Sequence, residues 1–195
     1  MRPELLTSPQ IPKPLHGVNP RTILGQVWWD YERQAAYKTK DYHCWACGIH
    51  KTEALYRQHL EAHEDYDINW KTGEVKLREI VALCHSCHNF VHSGRLLWLY
   101  KSGQIDRSQI ECILHHGFSV CQWGGVTPFI GAYVTEGQVN GMSEGEALKF
   151  GREKGGWEPP AMIAAWEQWH LVIDDKIYPT PYKDINEWRE KYGET

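Results

Sequence analysis

The sequence LCHSCHNFVH, residues 83–92, contains the residue types on which the fold depends. Cys84 and Cys87 form a Cys-x-x-Cys pair in it, and Cys44 and Cys47 form a second such pair earlier in the chain. Four thiolates from two pairs of this spacing suit a closed, tetrahedral structural zinc site. The spacing therefore predicts that these four cysteines bind a structural Zn²⁺.

The same stretch contains two histidines in a segment where a helix is predicted to begin near His88. His88 and His92 lie four residues apart, so both imidazoles share one helix face and can reach a single ion. His63, at the end of a predicted strand, could supply a third ligand. Imidazole is a softer ligand than the oxygen donors that Mg²⁺ demands, so the expected second ion is Zn²⁺ or another transition metal. His85, inside the cysteine pair, is expected at the surface.

Hydrophobic patterning predicts an α+β protein with three consecutive regions. Residues 1–26 are rich in proline, which disfavours helices and interior strands, and are expected to form an extended arm. Residues 27–103 are expected to form the zinc-containing domain, with a first helix from Val27 to Lys38. Strands are predicted for 55–63 and 75–83 in this domain.

Residues 104–195 are expected to form an extension of helices and one hairpin. A helix is predicted from Asp106 to a stop at Gly117, with His115 and His116 capping its C-terminus. Residues 117–142 are rich in glycine and are expected to be mostly loop with short strands.

Capping and turn residues predict the rest of this extension. Ser143 and Glu146 predict a capping box. The Pro159–Pro160 pair predicts the start of a short helix, and the sequence from Trp169 to Pro179 predicts a hairpin. Asp184 is expected to cap a last helix that ends at Gly193.

Three segments together resemble the HNH, or ββα-metal, nuclease family in its zinc-knuckle subgroup. These segments are CWACG, LEAHEDY and LCHSCHNFVH, and the resemblance covers about Tyr42 to Gly94. It implies a ββα-metal core stapled by a four-cysteine zinc. His63 matches the first histidine of the family's pattern, a metal ligand, while His88 and His92 match its two helix ligands.

The family's general-base histidine falls on Glu64 in this sequence. The resemblance thus implies that Glu64 and His63 are the catalytic pair. A glutamate can activate water when a metal ion has already lowered the pKa of that water to about 7.

Basic residues near the predicted metal site are candidates for holding a substrate phosphate. They are Arg57, Lys76, Arg78 and Arg95. Charged side chains are also the normal content of a protein surface, and the sequence leaves both interpretations open.

The expected function is that of an HNH-like metal-dependent nuclease that hydrolyses phosphodiester bonds in DNA or RNA. The formal net charge of -4, from 21 basic and 25 acidic residues, lacks the footprint of a dedicated duplex-DNA binder. The alternative is a catalytically inactive HNH-fold protein, for example a phage or bacterial regulator or inhibitor that binds protein or nucleic acid. In both cases we expect a cytoplasmic protein with no membrane partner, and the oligomeric state stays open.

Overall fold

The computed structural model describes residues 1–193 as an α+β protein, so the last two residues of the predicted extension lie outside the described part. The helices are α1 (Pro20–Thr39), α2 (His85–Val91), α3 (Ser93–Lys101), α4 (Arg107–Gly124), α5 (Ile130–Val139), α6 (Glu144–Glu153) and α7 (Ile185–Tyr192). The strands are β1 (Leu60–Asn69), β2 (Glu74–Cys84), β3 (His170–Ile173) and β4 (Lys176–Pro179), in the sheet order β1-β2-β3-β4. None of the helices in the described part is long and apolar enough to span a membrane.

The chain divides into two compact units, and each unit collects several separate segments, whereas the sequence predicts three consecutive regions. The first unit contains Met1–Pro9, Ala36–His63 and Val81–Glu158. The second unit contains Gln10–Ala35, Glu64–Ile80 and the chain from Pro159 onward.

The second unit is built on the sheet, whose core centres on the fully buried Trp169. Strand β3 pairs with β2 in parallel and with β4 in antiparallel orientation, and Val75 lies opposite Leu171. Asp174 and Asp175 connect β3 to β4 with φ values of 47° and 61°. Two consecutive left-handed residues are typical of a tight hairpin turn, so the predicted hairpin is confirmed.

Residues 1–26 do not form an extended arm, and this prediction is wrong. They contain 3₁₀ helices at Pro3–Thr7 and Lys13–Leu15, and α1 begins at Pro20. Proline is tolerated in the first turn of a helix because its missing N–H has no partner there. Leu5 is buried in the first unit, and Leu15 is buried in the second.

The two long strands differ in how well the sequence predicts them. Strand β2 matches the predicted strand 75–83 within one residue at each end. Strand β1 begins only at Leu60, because residues 55–59 form an irregular connection after a 3₁₀ helix, and it runs on to Asn69. Helix α2 begins at His85, earlier than predicted, because the Cys84 sulfur caps it by accepting from the Cys87 N–H at 3.5 Å.

Residues 117–142 were predicted to be mostly loop, and this prediction is wrong, because they contain the end of α4 and all of α5. Their glycines allow neighbouring helices to approach closely. Helix α4 passes through Gly117, where an added Cβ would overlap the ring of Phe90 on α2. At Gly137 on α5 an added Cβ would lie 2.9 Å from the Cβ of Ala147 on α6. Both glycines are therefore contact points between helices and not helix ends.

Local capping predictions are confirmed where a single side chain decides the helix start. Asp106 accepts from the Gln109 N–H at 2.8 Å, and Ser143 forms the predicted capping box of α6. Asp184 accepts from two N–H groups at the start of α7. The helix predicted to begin at Pro159–Pro160 is absent: residues 159–165 are irregular and lead only to the 3₁₀ helix Trp166–Gln168.

The packing at Gly117 gives a testable prediction for stability. Gly117→Ala should lower the melting temperature, because overlap with Phe90 costs roughly 1–3 kcal/mol against a helix-propensity gain of at most about 1 kcal/mol. Gly145→Ala is the matched control, since Gly145 is also helical and has no atom within 4 Å of an added Cβ. This control should be neutral or stabilising in thermal unfolding. Equal melting temperatures for the two variants would contradict the assignment of Gly117 as a contact point.

Candidate metal centres

The first candidate centre is made by the four predicted cysteines, which the fold brings together. Cys44 and Cys47 lie in a tight turn closed by a hydrogen bond from the Gly48 N–H to the Cys44 carbonyl. Cys84 is the last residue of β2, and Cys87 lies in the first turn of α2. All four thiols are free, and Cys47 alone among them is partly exposed.

The spacing of the four sulfurs matches the demands of a tetrahedral zinc ion. They lie 3.6–3.9 Å from one another. A tetrahedral site with Zn–S bonds of about 2.3 Å has sulfurs roughly 3.8 Å apart. The four-cysteine cluster could therefore hold a zinc ion without rearrangement.

The four thiols shift one another's pKa values in both directions. The hydrogen bond with Cys44 is the largest cause that lowers the pKa of Cys47 far below the ordinary thiol value, and the pKa of Cys44 is lowered as well. Hydrogen bonds with Cys44 and Cys47 raise the pKa of Cys84 and of Cys87 well above the ordinary thiol value. Four thiolates within 4 Å need a cation to offset their mutual repulsion. The chemistry of the donor set thus fits a divalent ion.

His116 is a further residue at this cluster, beside Cys87 and Cys84. It was expected to cap a helix C-terminus, but α4 continues past it to Gly124, so that prediction is wrong. Its Nε2 lies 3.3 Å from the Cys87 sulfur and 4.0 Å from the Cys84 sulfur. The hydrogen bond with Cys47 is the largest cause that raises the pKa of His116.

The second candidate centre consists of the three predicted histidines. His63 on β1 meets His88 and His92 at α2, and one ligand nitrogen from each ring lies within 4.8 Å of the others. The buried Nδ1 of His63 has no hydrogen-bond partner among the described residues. An unsatisfied buried nitrogen on a ring that lies beside two other imidazoles suits a metal ion.

Burial keeps two of these imidazoles in the form that binds metal. It lowers the pKa of His63 well below the ordinary value, and the charges of His92 and His88 add to this effect. Burial also lowers the pKa of His92 to about 4, helped by the charges of His88 and Arg95. Both rings are therefore neutral near pH 7, and neutral imidazole is the ligand that metals take.

Glu61, which was not predicted as a site residue, is the carboxylate that contacts His85 and His88. Its Oε2 lies 2.6 Å from Nδ1 of His88, and its Oε1 lies 2.6 Å from Nδ1 of His85. Burial alone would raise the pKa of Glu61, but the contacts with His85 and His88 hold it far below the ordinary value. A carboxylate this close to Nδ1 leaves Nε2 as the nitrogen of His88 that is available to a metal.

Strand geometry explains why Glu61, and not Glu64, accompanies the histidines. Side chains alternate between the faces of a strand, so Glu61 and His63 share one face of β1. Glu64 points to the opposite face, the face of Tyr66, whose pKa is raised by burial and by the charge of Glu64. The predicted pair of Glu64 and His63 thus does not share a strand face.

His85 and Asn89 extend the polar network of Glu61. His85 was expected at the surface, but it is 8% exposed, and that prediction is wrong. The fully buried Asn89 donates to the His85 carbonyl at 2.9 Å and accepts from Nη1 of Arg95 at 3.0 Å. Arg95 is thus held beside the histidines by a buried amide.

The other predicted phosphate contacts have different surroundings. Arg57 is exposed in the connection before β1. In the second unit, Lys76 is exposed on β2, and Arg78 lies 3.7 Å from a carboxylate oxygen of Asp65. Among the four basic residues, Arg95 is the one whose charge acts on a histidine of the trio.

Comparisons with known proteins do not identify this chain. No protein-family model matches it, and no curated protein or solved structure is significantly similar to it.

The position of Glu61 gives a prediction for metal affinity. Glu61→Gln should weaken Co²⁺ or Zn²⁺ binding at the histidines by about 10–100-fold, because His88 loses the carboxylate that orients its ring. Glu64→Gln is the matched control on the opposite strand face and should leave this affinity unchanged. Titration with Co²⁺ reports both centres separately, since thiolate and imidazole ligation absorb differently, so the cysteine centre serves as an internal reference for folding. Equal losses in the two variants would contradict the assignment.

Proposed function

We propose that this protein is a metal-dependent phosphodiesterase acting on nucleic acid, with an HNH-like ββα-metal core. In this proposal the four cysteines hold a structural zinc, and His63, His88 and His92 hold a second divalent ion of zinc or another transition metal. The observation that carries the proposal is the trio of imidazoles with ligand nitrogens within 4.8 Å, one of them contacted by the carboxylate of Glu61.

The order of the elements supports the HNH-like assignment. Strand β1 carries His63, β2 ends at Cys84, and α2 follows at once with Cys87, His88 and the cap residue His92. This is the β-β-α order, with cysteines at the strand-to-helix junction, that the resemblance in the sequence implies. Fold analogy raises the expectation of phosphodiester chemistry, while the site must supply the chemistry itself.

The residues of the trio suit a hydrolytic centre. A divalent ion supplies Lewis acidity toward a phosphoryl oxygen and lowers the pKa of water. His63 and His92 are buried and neutral near pH 7, so they bind an ion without first losing protons. Three neutral ligands leave the full charge of the ion available to polarise an anionic substrate.

We assign Glu61, rather than Glu64, as the carboxylate that acts at this site, in a positioning role. Its two oxygens contact His85 and His88, so it orients the ring of a ligand. In this role Glu61 would not itself take a proton from water, and an ion held by His63, His88 and His92 would supply the activation.

Arg95 is the proposed contact for the scissile phosphate. Asn89 holds its guanidinium at 3.0 Å, and a fixed guanidinium matches the oxygens of a phosphate better than a freely moving one. A local contact of this kind is needed because the whole chain has a net charge of -4.

The alternative is an inactive HNH-like protein that binds nucleic acid or a protein partner. It is favoured by the glutamate at position 64, where the family has its general base, and by the direction of that side chain along β1. The following experiment decides between DNA and RNA as the substrate, and between cleavage and binding alone.

Cleavage of supercoiled plasmid, single-stranded DNA and RNA, each with added Mn²⁺, Ni²⁺ or Zn²⁺, tests the proposal. The wild type should cleave at least one substrate, and His88→Ala should reduce the rate by at least about 100-fold, because it removes a metal ligand. His115→Ala, an exposed histidine on α4, is the control and should retain the wild-type rate.

Two results would contradict parts of the proposal. Binding of a substrate without cleavage by the wild type under any of these ions would favour the inactive alternative. Loss of the rate in Glu64→Gln, with metal affinity unchanged, would restore Glu64 as the base.

A further inference from the structure

The four-cysteine cluster has a neighbour whose role the proposed function does not use. His116 projects from the middle of α4, one turn after the buried Ile113 and one turn before the buried Val120. Its ring is therefore at the edge of the buried helix face, where packing of α4 against α2 brings it to Cys87.

The geometry points to Nε2–H of His116 as a hydrogen-bond donor to the thiolates of the zinc centre, with Cys87 as its main acceptor. We infer that His116 is a positioning residue of this centre and sets how tightly the metal is held. The inference rests on the structural zinc of the proposed function, but not on phosphodiester hydrolysis.

Distances favour a donor over a fifth ligand. The four sulfurs already have the separation of a complete tetrahedral set, and structural zinc is almost always four-coordinate. Nε2 lies 3.3 Å from the Cys87 sulfur and 4.0 Å from the Cys84 sulfur, and Cys47 is a third sulfur that acts on the ring. This arrangement suits a hydrogen bond to Cys87 with weaker contacts to the other two sulfurs.

Charge explains why such a donor matters. Four thiolates and one Zn²⁺ leave a formal charge of about −2 at the centre, and Cys87 is fully buried. Buried charge without a hydrogen-bond partner is costly, and an N–H group directed at the sulfur offsets part of that cost. The backbone offers one such bond to Cys84, from the Cys87 N–H, and His116 supplies one to Cys87.

Metal titrations of the full-length protein test this inference. His116→Ala should weaken zinc binding at the cysteines by about 10-fold or more in competition with a chromophoric chelator. His116→Gln keeps an N–H donor at a similar reach and should recover most of the affinity. His115→Ala, the exposed neighbour on the same helix, should match the wild type.

The Co²⁺-substituted protein gives a spectroscopic test that packing alone would not change. The wild type should show the visible bands of four sulfur ligands. Its sulfur-to-cobalt charge-transfer band should move to lower energy in His116→Ala, because a thiolate that loses a hydrogen bond gives up its electron more easily, and should return in His116→Gln. Unchanged affinity and spectrum in His116→Ala would overturn the inference. Bands of three sulfurs and one nitrogen in the wild type would do the same, since His116 would then be a ligand.

A measurement on the wild type covers the case in which His116→Ala does not fold. In the protein loaded with ¹¹³Cd, the proton on Nε2 of His116 should show a scalar coupling to the metal through the Cys87 sulfur. Absence of that coupling, with the proton visible, would overturn the inference. None of these measurements involves cleavage, so an inactive protein with the expected spectra would contradict the proposed function alone.

Discussion

Closure of the four-cysteine cluster is the constraint on which the candidate histidine site depends. Cys84 ends β2 and caps α2, and His88 follows Cys87 directly in the chain. A metal ion that ties these sulfurs to Cys44 and Cys47 fixes where α2 begins and in which direction it leaves the strand. The positions of His88 and His92 follow from that direction, because His88 lies in α2 and His92 is the residue that caps its C-terminal end. The four-cysteine cluster and the histidine trio are thus both positioned by one strand-to-helix junction.

The second constraint on the site is which side chains of β1 lie on the face directed at α2. His63 reaches the helix histidines only because its strand face is directed at α2, and the same face carries Glu61. One carboxylate then contacts His85 and His88, and the buried Asn89 connects His85 to Arg95. The chain therefore builds a connected polar network of Glu61, His85, Asn89 and Arg95 around the trio.

Local patterns in the sequence predicted the candidate ligands well, and tertiary packing explains what the sequence did not predict. The Cys-x-x-Cys pairs and the spacing of His88 and His92 are short-range signals, as are the caps at Asp106 and Asp184. Gly117 was misinterpreted because a glycine that ends a helix and a glycine that admits Phe90 look alike in one sequence. As a result α4 was predicted to end too early, and His116 was predicted to cap it. The position of His116 between the apolar residues Ile113 and Val120, at helical spacing, already indicated that it lies near the buried face of a longer helix. Glu61 and His63 both fall in the predicted strand 55–63 and share one of its faces, but the contacts of Glu61 with His85 and His88 depend on how the strand packs against α2, which the sequence does not show.

The most direct test of the central claim is the metal content of protein purified without added metal, measured by elemental analysis. The account predicts about two bound transition-metal ions per chain in the wild type. In a double variant, His88→Ala with His92→Ala, one ion should be lost and the one held by the cysteines should remain. A single ion per chain in both proteins would show that the three imidazoles hold no metal, and would contradict the account.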